Sequence, residues 1–304
     1  MKVYQTGTIR NIVLIGHGGS GKTTLVEAMM YQTGVVGRMG KIETGTTLSD
    51  TDVDEVQRQI SINTTLLPVQ YNGTKINVLD TPGFADFVSE VVGAMHVADA
   101  ALMVVDAVSG VEVQTERYWR MAEARALPRI LIMNKMDKEH ANFTETLASL
   151  KRRFGTHVVA LQLPIGEQAA FKGIVDLVHM KAYLETEDHA APKEEAIPGD
   201  LQARAAELRE AVVEAAAEAN DDLMLKYLEE GELTDDEIVS GLQEAIASGR
   251  VFPVVVGAAV KNYGTTLLLD LLVSSAPSPD KLPPVHAVKG EAEVELTANP
   301  AGTP

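Results

Sequence analysis

The chain has 304 residues, no cysteine, and a formal net charge of −17 at pH 7 from 43 acidic and 26 basic side chains. The lack of cysteine excludes disulfides, a disulfide-linked partner and thiolate metal sites. The acidity argues against a broad, non-specific nucleic-acid binder, which needs a basic surface. Hydrophobic residues make up 45% of the chain, as in globular proteins, and no apolar run is long enough to span a membrane. We therefore expect a cytoplasmic globular protein with no membrane partner.

The first half of the chain alternates short apolar runs with helical patterns. We predict strands at 9–15, 64–70, 75–79, 100–105, 129–133 and 158–161, and helices at 22–31, 86–97, 114–125 and 143–154. The second and third strands are separated by an Asn72-Gly73 pair, which favours a tight hairpin turn. Residues 34–54 are polar and lack a period, which predicts a long loop. Alternation of this kind indicates an α/β fold with a mostly parallel sheet covered on both faces.

The second half interrupts and then resumes this pattern. Residues 164–198 are mixed, with strand-like pieces at 171–176 and 181–184, and helices are predicted at 201–220, 222–229 and 234–247. The apolar strand 251–256 and a helix at 265–274 resume the parallel pattern. The segment 161–252 carries a net charge of −14, so the remaining residues carry only −3. This shift in composition predicts a separate unit whose acidic residues form either a solvated helical face or a docking surface.

The first sequence motif follows the first predicted strand and opens the first helix. It fits the pattern G-x-x-x-x-G-K-[ST] and consists of Gly16, His17, Gly18, Gly19, Ser20, Gly21, Lys22 and Thr23. Glycines allow successive backbone N–H groups to face phosphate oxygens, while the lysine neutralises the β- and γ-phosphates and the Thr23 hydroxyl ligates Mg²⁺. The motif predicts a site for a nucleoside triphosphate.

Two further motifs follow predicted strands. The second is Asp80, Thr81, Pro82 and Gly83, where the carboxylate can hold Mg²⁺ through water and the Gly83 amide can contact the γ-phosphate. The third is Asn134, Lys135, Met136 and Asp137. Asp137 can accept hydrogen bonds from guanine N1–H and the exocyclic amine, whereas adenine offers the opposite pattern on that edge. Together the three motifs predict a protein that binds GTP.

The motif strings closely resemble the GTPase domain of bacterial translation elongation factor G. The resemblance rests on GHGGSGKTTL, VLDTPGFADFVSEV, RILIMNKMDK and PVVVGAAVKNYGTTLLLDLLVSSAPSP, and on LQLPIG, GIVDLVHMKAY and LMLKYLEEGE in the interrupting segment. It implies a P-loop GTPase core at 1–160 that continues at 253–280. It also implies an elongation factor G type insertion, an α+β subdomain, at 161–252. Residues 281–304 resemble the lead into a second, barrel domain, so we expect an amino-terminal piece of a longer protein.

The resemblance also implies further site residues. Thr24 belongs to the nucleotide-binding string, and a backbone amide in the segment Gly257, Ala258 and Ala259 would contact the guanine O6. Residues 50–62 would form the first switch, in which Ser61 takes the place of the family threonine that ligates Mg²⁺. Lys22, Ser61 and Gly83 would then serve catalysis. We expect residues 37–57 to be poorly ordered or differently folded away from the ribosome.

Three positions depart from the family pattern. Gly19 replaces an aspartate of the phosphate loop, and Gln59 replaces the glycine of the Arg-Gly-Ile-Thr switch sequence. Phe84 replaces the histidine that positions the attacking water, and it also falls within the expected nucleotide-binding set. A phenyl ring has no hydrogen-bonding atom for this task, so we expect slow hydrolysis with weak or altered ribosomal stimulation. Lys22 and Mg²⁺ would still stabilise the transferring phosphoryl group.

The expected function is GTP binding and hydrolysis by a translation factor. The resemblance implies a monomer that binds GTP or GDP with Mg²⁺ and acts at the factor-binding site and stalk protein of the large ribosomal subunit. One alternative is a paralogue that acts in recycling, protection or regulation rather than in translocation. Another is a nucleotide-gated binding module that hydrolyses GTP negligibly. The three departures favour these alternatives over an ordinary translocase.

Overall fold

The computed structural model describes residues 3–186, 191–282, 284–290 and 292–296. Its strands are β1 (Ile9–Ile15), β2 (Thr65–Tyr71), β3 (Thr74–Asp80), β4 (Ala100–Asp106), β5 (Arg129–Asn134), β6 (Val158–Ala160), β7 (Gln162–Ile165), β8 (Gly173–Asp176), β9 (Lys181–Leu184), β10 (Lys193–Glu195), β11 (Phe252–Val256), β12 (Val285–Lys289) and β13 (Ala292–Leu296). Its α-helices are α1 (Lys22–Gln32), α2 (Val53–Arg58), α3 (Val88–Val97), α4 (Val113–Glu123), α5 (Phe143–Phe154), α6 (Gln202–Ala217), α7 (Asp221–Glu230), α8 (Asp235–Ala247) and α9 (Thr265–Ser275).

The central sheet has the strand order β2-β3-β1-β4-β5-β11-β6, and every neighbouring pair except β2–β3 is parallel. All residues of β4, β5 and β11 are buried. Because successive side chains of a strand point to opposite faces, complete burial means that both faces are covered. The predicted α/β fold with a mostly parallel sheet is confirmed.

The β2–β3 hairpin forms the antiparallel edge of this sheet. Tyr71 pairs with Thr74, so the turn consists of Asn72 and Gly73, whose φ angles are 44° and 76°. Two positive φ angles define the tight turn that the Asn-Gly pair predicts. Pro68 is tolerated in β2 because an edge strand has hydrogen-bonding groups that face no partner.

The predicted helix boundaries hold with small corrections. The helix at 143–154 is confirmed residue for residue. The predicted helix at 86–97 instead begins with a 3-10 turn at Ala85–Phe87, and α3 starts at Val88. The helix predicted to end at 125 ends at Glu123, because the chain turns there to bring Ala126 into a left-handed conformation with φ 51°.

The long loop predicted at 34–54 is confirmed as far as Asp52, apart from a 3-10 turn at Ile42–Thr44, and the short helix α2 begins at Val53. The expectation that residues 37–57 are poorly ordered or differently folded stays a prediction. The buried carboxylate of Glu27 accepts hydrogen bonds from the backbone N–H groups of Gly40 and Leu48 at 2.8 and 2.5 Å. A capping box between Asp52 and Glu55 then starts the short helix α2. Such local hydrogen bonds replace the hydrophobic period that the segment lacks, which is why the pattern of apolar residues did not reveal them.

The interrupting segment forms its own antiparallel sheet, with the order β10-β9-β8-β7. Helix α6 packs against α7, α8 and β6, and α8 packs against α9 of the core. The helices predicted at 201–220, 222–229 and 234–247 correspond to α6, α7 and α8. The boundaries at 161 and 252 remain predictions. Within the described ranges, no helix has the length and apolar character needed to cross a membrane.

Residues 281–304 are predicted to lead into a second domain. The described part of this tail contains the antiparallel hairpin of β12 and β13. Residues 283, 291 and 297–304 of the predicted lead lie outside the described residues.

Candidate functional site

The phosphate-loop sequence joins the buried end of β1 to the first turn of α1. A side chain at Gly16 would bring a Cβ atom within 2.4 Å of the Val104 carbonyl oxygen. One at Gly21, where φ is 95°, would come within 2.4 Å of the Asn134 amide nitrogen. Both glycines are therefore required by close approach of neighbouring groups. The N-terminus of α1 faces the loop, so its free N–H groups and the helix dipole favour an anion there.

Lys22 is nearly buried within this loop. Its Nζ donates hydrogen bonds to the carbonyl oxygens of Gly16 and His17 at 3.0 and 3.1 Å. Burial lowers the pKa of Lys22 to about 8, while attraction to Asp80 and Asp50 partly opposes this shift. A buried ammonium is costly, and a triphosphate would supply negative charge in direct contact with it.

Oxygen atoms from three segments meet beside the lysine. The Thr23 hydroxyl donates to Asp80 Oδ2 at 2.8 Å and lies 3.1 Å from the Ser61 hydroxyl. Ser49 also donates to Asp80 Oδ2, at 2.6 Å. The other oxygen of Asp80, Oδ1, is buried without a hydrogen-bond partner among the described residues, and burial raises the pKa of this carboxyl group.

These donors fit the predicted Mg²⁺ site. Mg²⁺ takes oxygen ligands and usually combines one or two protein groups with phosphates and water. Thr23, Ser61 and the orphaned Oδ1 of Asp80 provide that chemistry in one place. No group of three His, Asp or Glu side chains in the described part of the chain forms a metal site without phosphates.

The structure places two buried carboxylates within the predicted first switch, residues 50–62. Asp50 is buried beside this site, and burial raises the pKa of its carboxyl group to about 6. Glu55 is also buried, and its carboxylate accepts the backbone N–H groups of Asp52, Ile62 and Asn63, each at 3.0 Å. The spacing Asp52-x-x-Glu55 is a capping-box signal that could have identified this helix start. Nothing in the local sequence indicates that Ser49 reaches Asp80.

The segment after β3 packs directly on the phosphate loop. Thr81 donates to the Leu14 carbonyl oxygen at 2.5 Å, and Pro82 is buried. A side chain at Gly83 would bring its Cβ atom within 2.5 Å of Lys22 Nζ and 2.6 Å of the Gly18 Cα. The Phe84 ring is 43% exposed, and a Cβ atom at Gly18 would lie only 2.9–3.1 Å from it. The ring can cover the loop here only because residue 18 has no side chain.

The third motif ties two other loops together. Asn134 donates from Nδ2 to the Ser20 carbonyl oxygen at 3.0 Å, and its Oδ1 accepts the Ala259 N–H at 2.9 Å. Lys135 has a positive φ of 65°, and its Nζ forms a 2.7 Å ion pair with Asp106. Met136 donates its N–H to the Gly257 carbonyl oxygen at 3.1 Å. Asp106 is a further site residue that the sequence reasoning missed, although its place at the carboxyl end of β4 is a usable signal.

The expected base-recognition groups lie near this bridge. Asp137 is half-buried, with no hydrogen bond to any described residue, and is therefore available as an acceptor. The resemblance expects a backbone amide of the segment 257–259 at guanine O6, and in this structure the Ala259 amide donates to Asn134. The Ala258 amide donates to the Tyr263 carbonyl oxygen at 3.0 Å.

A cavity of about 290 Å³ runs along the loop. Its lining includes predicted site residues from several segments, namely Gly18, Gly19, Gly21, Lys22, Thr23, Thr24, Ser61, Gly83, Phe84 and Lys135. Asp137 and residues 257–259 are outside this lining. The His17 imidazole also turns elsewhere, with Nε2 3.5 Å from Glu112 Oε1. The structure thus gathers most of the phosphate-end residues, and His17 contributes through its backbone.

Comparison with known proteins agrees with this geometry. Residues 7–278 match the model of the elongation factor Tu GTP binding domain. The chain is also similar to a protein from Thermus thermophilus of known crystal structure, with 35% sequence identity and a TM-score of 0.85. That match covers 91% of this chain and 42% of the Thermus chain, so this chain spans less than half the length of that relative. The chain belongs to the elongation factor Tu GTP-binding domain family and is a translational GTPase domain.

Proposed function

We propose that this chain is the GTP-hydrolysing switch domain of an elongation factor G-like translation factor. The observation that carries the proposal is the placement of Asn134, whose side chain joins Ser20 of the phosphate loop to Ala259. One amide thereby couples the phosphate end of the site to the segment expected at the base. GTP or GDP would bind along this line, with Lys22 at the phosphates and Asp137 at the guanine.

The magnesium ion would be held by Thr23 and Ser61, and by Asp80 through water. When bound, it would neutralise charge on the β- and γ-phosphates. Ser49 and Asp80 orient the Thr23 hydroxyl through the hydrogen bonds described above. Because Ser61 lies in the first switch and Gly83 follows β3, both segments would respond to the γ-phosphate and relax after hydrolysis.

The proposed setting is the ribosome, in the cytoplasm. Family membership supports this setting, and the insertion-like segment with β7–β10 and α6–α8 supports an elongation factor G type. The exposed Phe84 ring supports the competing function, a nucleotide-gated ribosome-binding paralogue with little hydrolysis. Such a paralogue would act in recycling, protection or regulation.

Phe84→His distinguishes these functions. We expect purified parent chain to hydrolyse GTP slowly, and we expect ribosomes to stimulate the histidine variant more strongly than the parent. A positioned acid–base side chain contributes about 10²–10⁴-fold. The measurement is a time course of phosphate release with and without ribosomes. Stimulation confined to the histidine variant would support the binding module, whereas equal and rapid stimulation of both would contradict the proposed deficit.

Helix α7 supports a contact with the stalk protein of the large subunit. Leu225 and Leu228 are 56% and 74% exposed on this helix, near the exposed carboxylates of Asp222 and Glu229. An apolar pair with acidic neighbours suits a partner that offers both hydrophobic and basic side chains. We propose this exposed side of α7 as the stalk contact of a monomeric factor.

Neutralising this side should weaken stalk binding without changing GTP affinity. We expect Asp222→Asn with Glu229→Gln to raise the dissociation constant for isolated stalk protein by about 3–10-fold, as for a few partly screened charge contacts. The control is Asp200→Asn with Glu210→Gln, which removes the same charge from exposed positions outside α7. An equal effect of both pairs, measured by isothermal titration, would indicate general electrostatics rather than docking on α7.

A further inference from the structure

Gln59 occupies a backbone position that favours glycine. It ends α2 in the left-handed conformation, with φ 56° and ψ 39°. Its N–H donates to the Glu55 carbonyl oxygen, and the Ile60 N–H donates to the same oxygen at 3.2 Å. These two bonds form a helix-ending turn in which glycine is the usual residue. The chain instead places a long polar side chain there.

Glu55 fixes the position of this turn from both sides. Its carbonyl oxygen holds Gln59 and Ile60, while its buried carboxylate holds Ile62 and Asn63 at 3.0 Å. The backbone that carries Gln59 is therefore held by hydrogen bonds to Glu55 on each side of the turn. A side chain on an anchored backbone is better placed to act on a substrate than one on a free loop.

Gln59 also lines the cavity that contains Lys22, Gly83 and Phe84. No described residue hydrogen-bonds its carboxamide. Other polar neighbours are less suited to a water molecule beside the γ-phosphate. Ser61 is near Thr23 at the magnesium end, whereas Glu43 and Asp50 carry carboxylates, which a triphosphate repels when they are ionised.

We propose that Gln59 orients the water that attacks the γ-phosphate. This inference rests on the proposed GTP hydrolysis. A carboxamide can accept a hydrogen bond from water and donate one to a phosphate oxygen, which is a role that a glutamine fills in other GTPases. Phe84 cannot supply either bond.

The carboxamide does not exchange a proton in this step. The water oxygen forms a bond to the γ-phosphorus as the bond from that phosphorus to the β–γ bridging oxygen breaks. The bridging oxygen leaves on GDP with the bonding electron pair, and the proton of the water ends on the inorganic phosphate. Gln59 contributes orientation alone.

The test compares Gln59→Ala and Gln59→Gly in the full 304-residue chain. Single-turnover hydrolysis of bound GTP should slow by about 10–100-fold in both variants, less than a proton-transferring group contributes. Affinity for GTP, measured with a fluorescent analogue, should stay within about 2-fold, because orientation of the water acts in the transition state rather than in binding. Gln57→Ala is the matched control, since Gln57 is an exposed glutamine on the same helix, and it should leave both values unchanged.

The Gln59→Gly variant distinguishes an effect of the missing side chain from an effect of the backbone conformation. If the left-handed turn alone mattered, Gln59→Gly would relieve it and keep or raise the rate, and this result would overturn the proposal. In the Phe84→His background the loss caused by Gln59→Gly should shrink to about 3-fold or less, since a second group then holds the water. An undiminished loss there would also overturn the assignment.

GTP binding and hydrolysis by the parent chain test this inference separately from the proposed function. If the parent chain binds GTP but hydrolyses it no faster than buffer alone does, the role of Gln59 is overturned, whereas GTP binding stands. A chain that does not bind GTP would overturn the proposed function itself, and the role of Gln59 with it.

Discussion

Asp137→Asn is expected to lower the affinity for GTP by about 10²–10³-fold, because each hydrogen bond to a charged acceptor contributes about 1.5–3 kcal/mol. The carboxylate of Asp137 would accept hydrogen bonds from guanine N1–H and from the exocyclic amine. An asparagine keeps one acceptor and turns the other into a donor. That donor faces the amine of guanine, and two donors cannot bond each other.

The same change should improve binding of xanthosine triphosphate. Xanthine carries a carbonyl oxygen where guanine has the exocyclic amine, so the new amide donor gains an acceptor. We therefore expect the variant to prefer xanthosine triphosphate over GTP, because a site disfavours a nucleotide that leaves one of its polar groups unpaired. Competition against a fluorescent guanine nucleotide measures both affinities.

A nearby carboxylate provides the control for this prediction. Glu139 lies two residues after Asp137, and its side chain is 85% exposed. Glu139→Gln removes the same charge and should change neither affinity. Retained GTP preference in Asp137→Asn would show that the base does not meet this residue. The third motif would then serve only to join the loops through Asn134.

Gly21→Ala is expected to destabilise the nucleotide-free protein by about 3 kcal/mol. A left-handed backbone costs an alanine about 1–2 kcal/mol. In addition, the new Cβ atom would lie 2.4 Å from the Asn134 amide nitrogen, so Asn134 must move. Its hydrogen bonds to Ser20 and Ala259 would weaken, at about 0.5–1.5 kcal/mol each.

Gly19 offers a matched comparison within the same loop. Its φ of 79° is also left-handed, but a Cβ atom there would meet no atom of the described residues within 4 Å. Gly19→Ala should therefore cost only the backbone contribution of about 1–2 kcal/mol. Denaturant unfolding of both variants gives the difference. Equal losses would mean that the contact with Asn134 does not constrain residue 21.

The packing around the single tryptophan, Trp119, shows what the sequence predicts about the interior and what it does not. A lone tryptophan on a helix is expected to pack rather than to stack on a base, and the Trp119 ring stacks on Phe154 with centroids 4.1 Å apart. The Arg129 guanidinium packs over both Trp119 and Phe252, 4.3 and 4.2 Å from their ring centroids. The apolar pattern placed Arg129 at a strand start but gave no sign that its charge would be buried against aromatic faces.

The segments that follow the strands show which parts of the site a local sequence pattern can predict. The segments after β1, β3 and β5 are predicted to contact phosphate, magnesium and base because each motif directly follows an apolar run. The carboxyl ends of parallel strands meet at one edge of a sheet, so these motifs had to converge. The first switch could not be assigned in the same way, since α2 is held by polar capping bonds rather than by a hydrophobic period.

The sequence alone determined the sheet, the phosphate loop and the expected preference for guanine, because these depend on residue types close together in the chain. It also identified Gln59 and Phe84 as departures from a family pattern. Only the tertiary structure decided that Asn134 joins Ser20 to Ala259, that Ser49 reaches Asp80, and that Phe84 covers Gly18. The hydrogen bonds among these contacts join residues from 31 to 125 positions apart. Such pairs are brought together by packing of the whole domain, which no local pattern encodes.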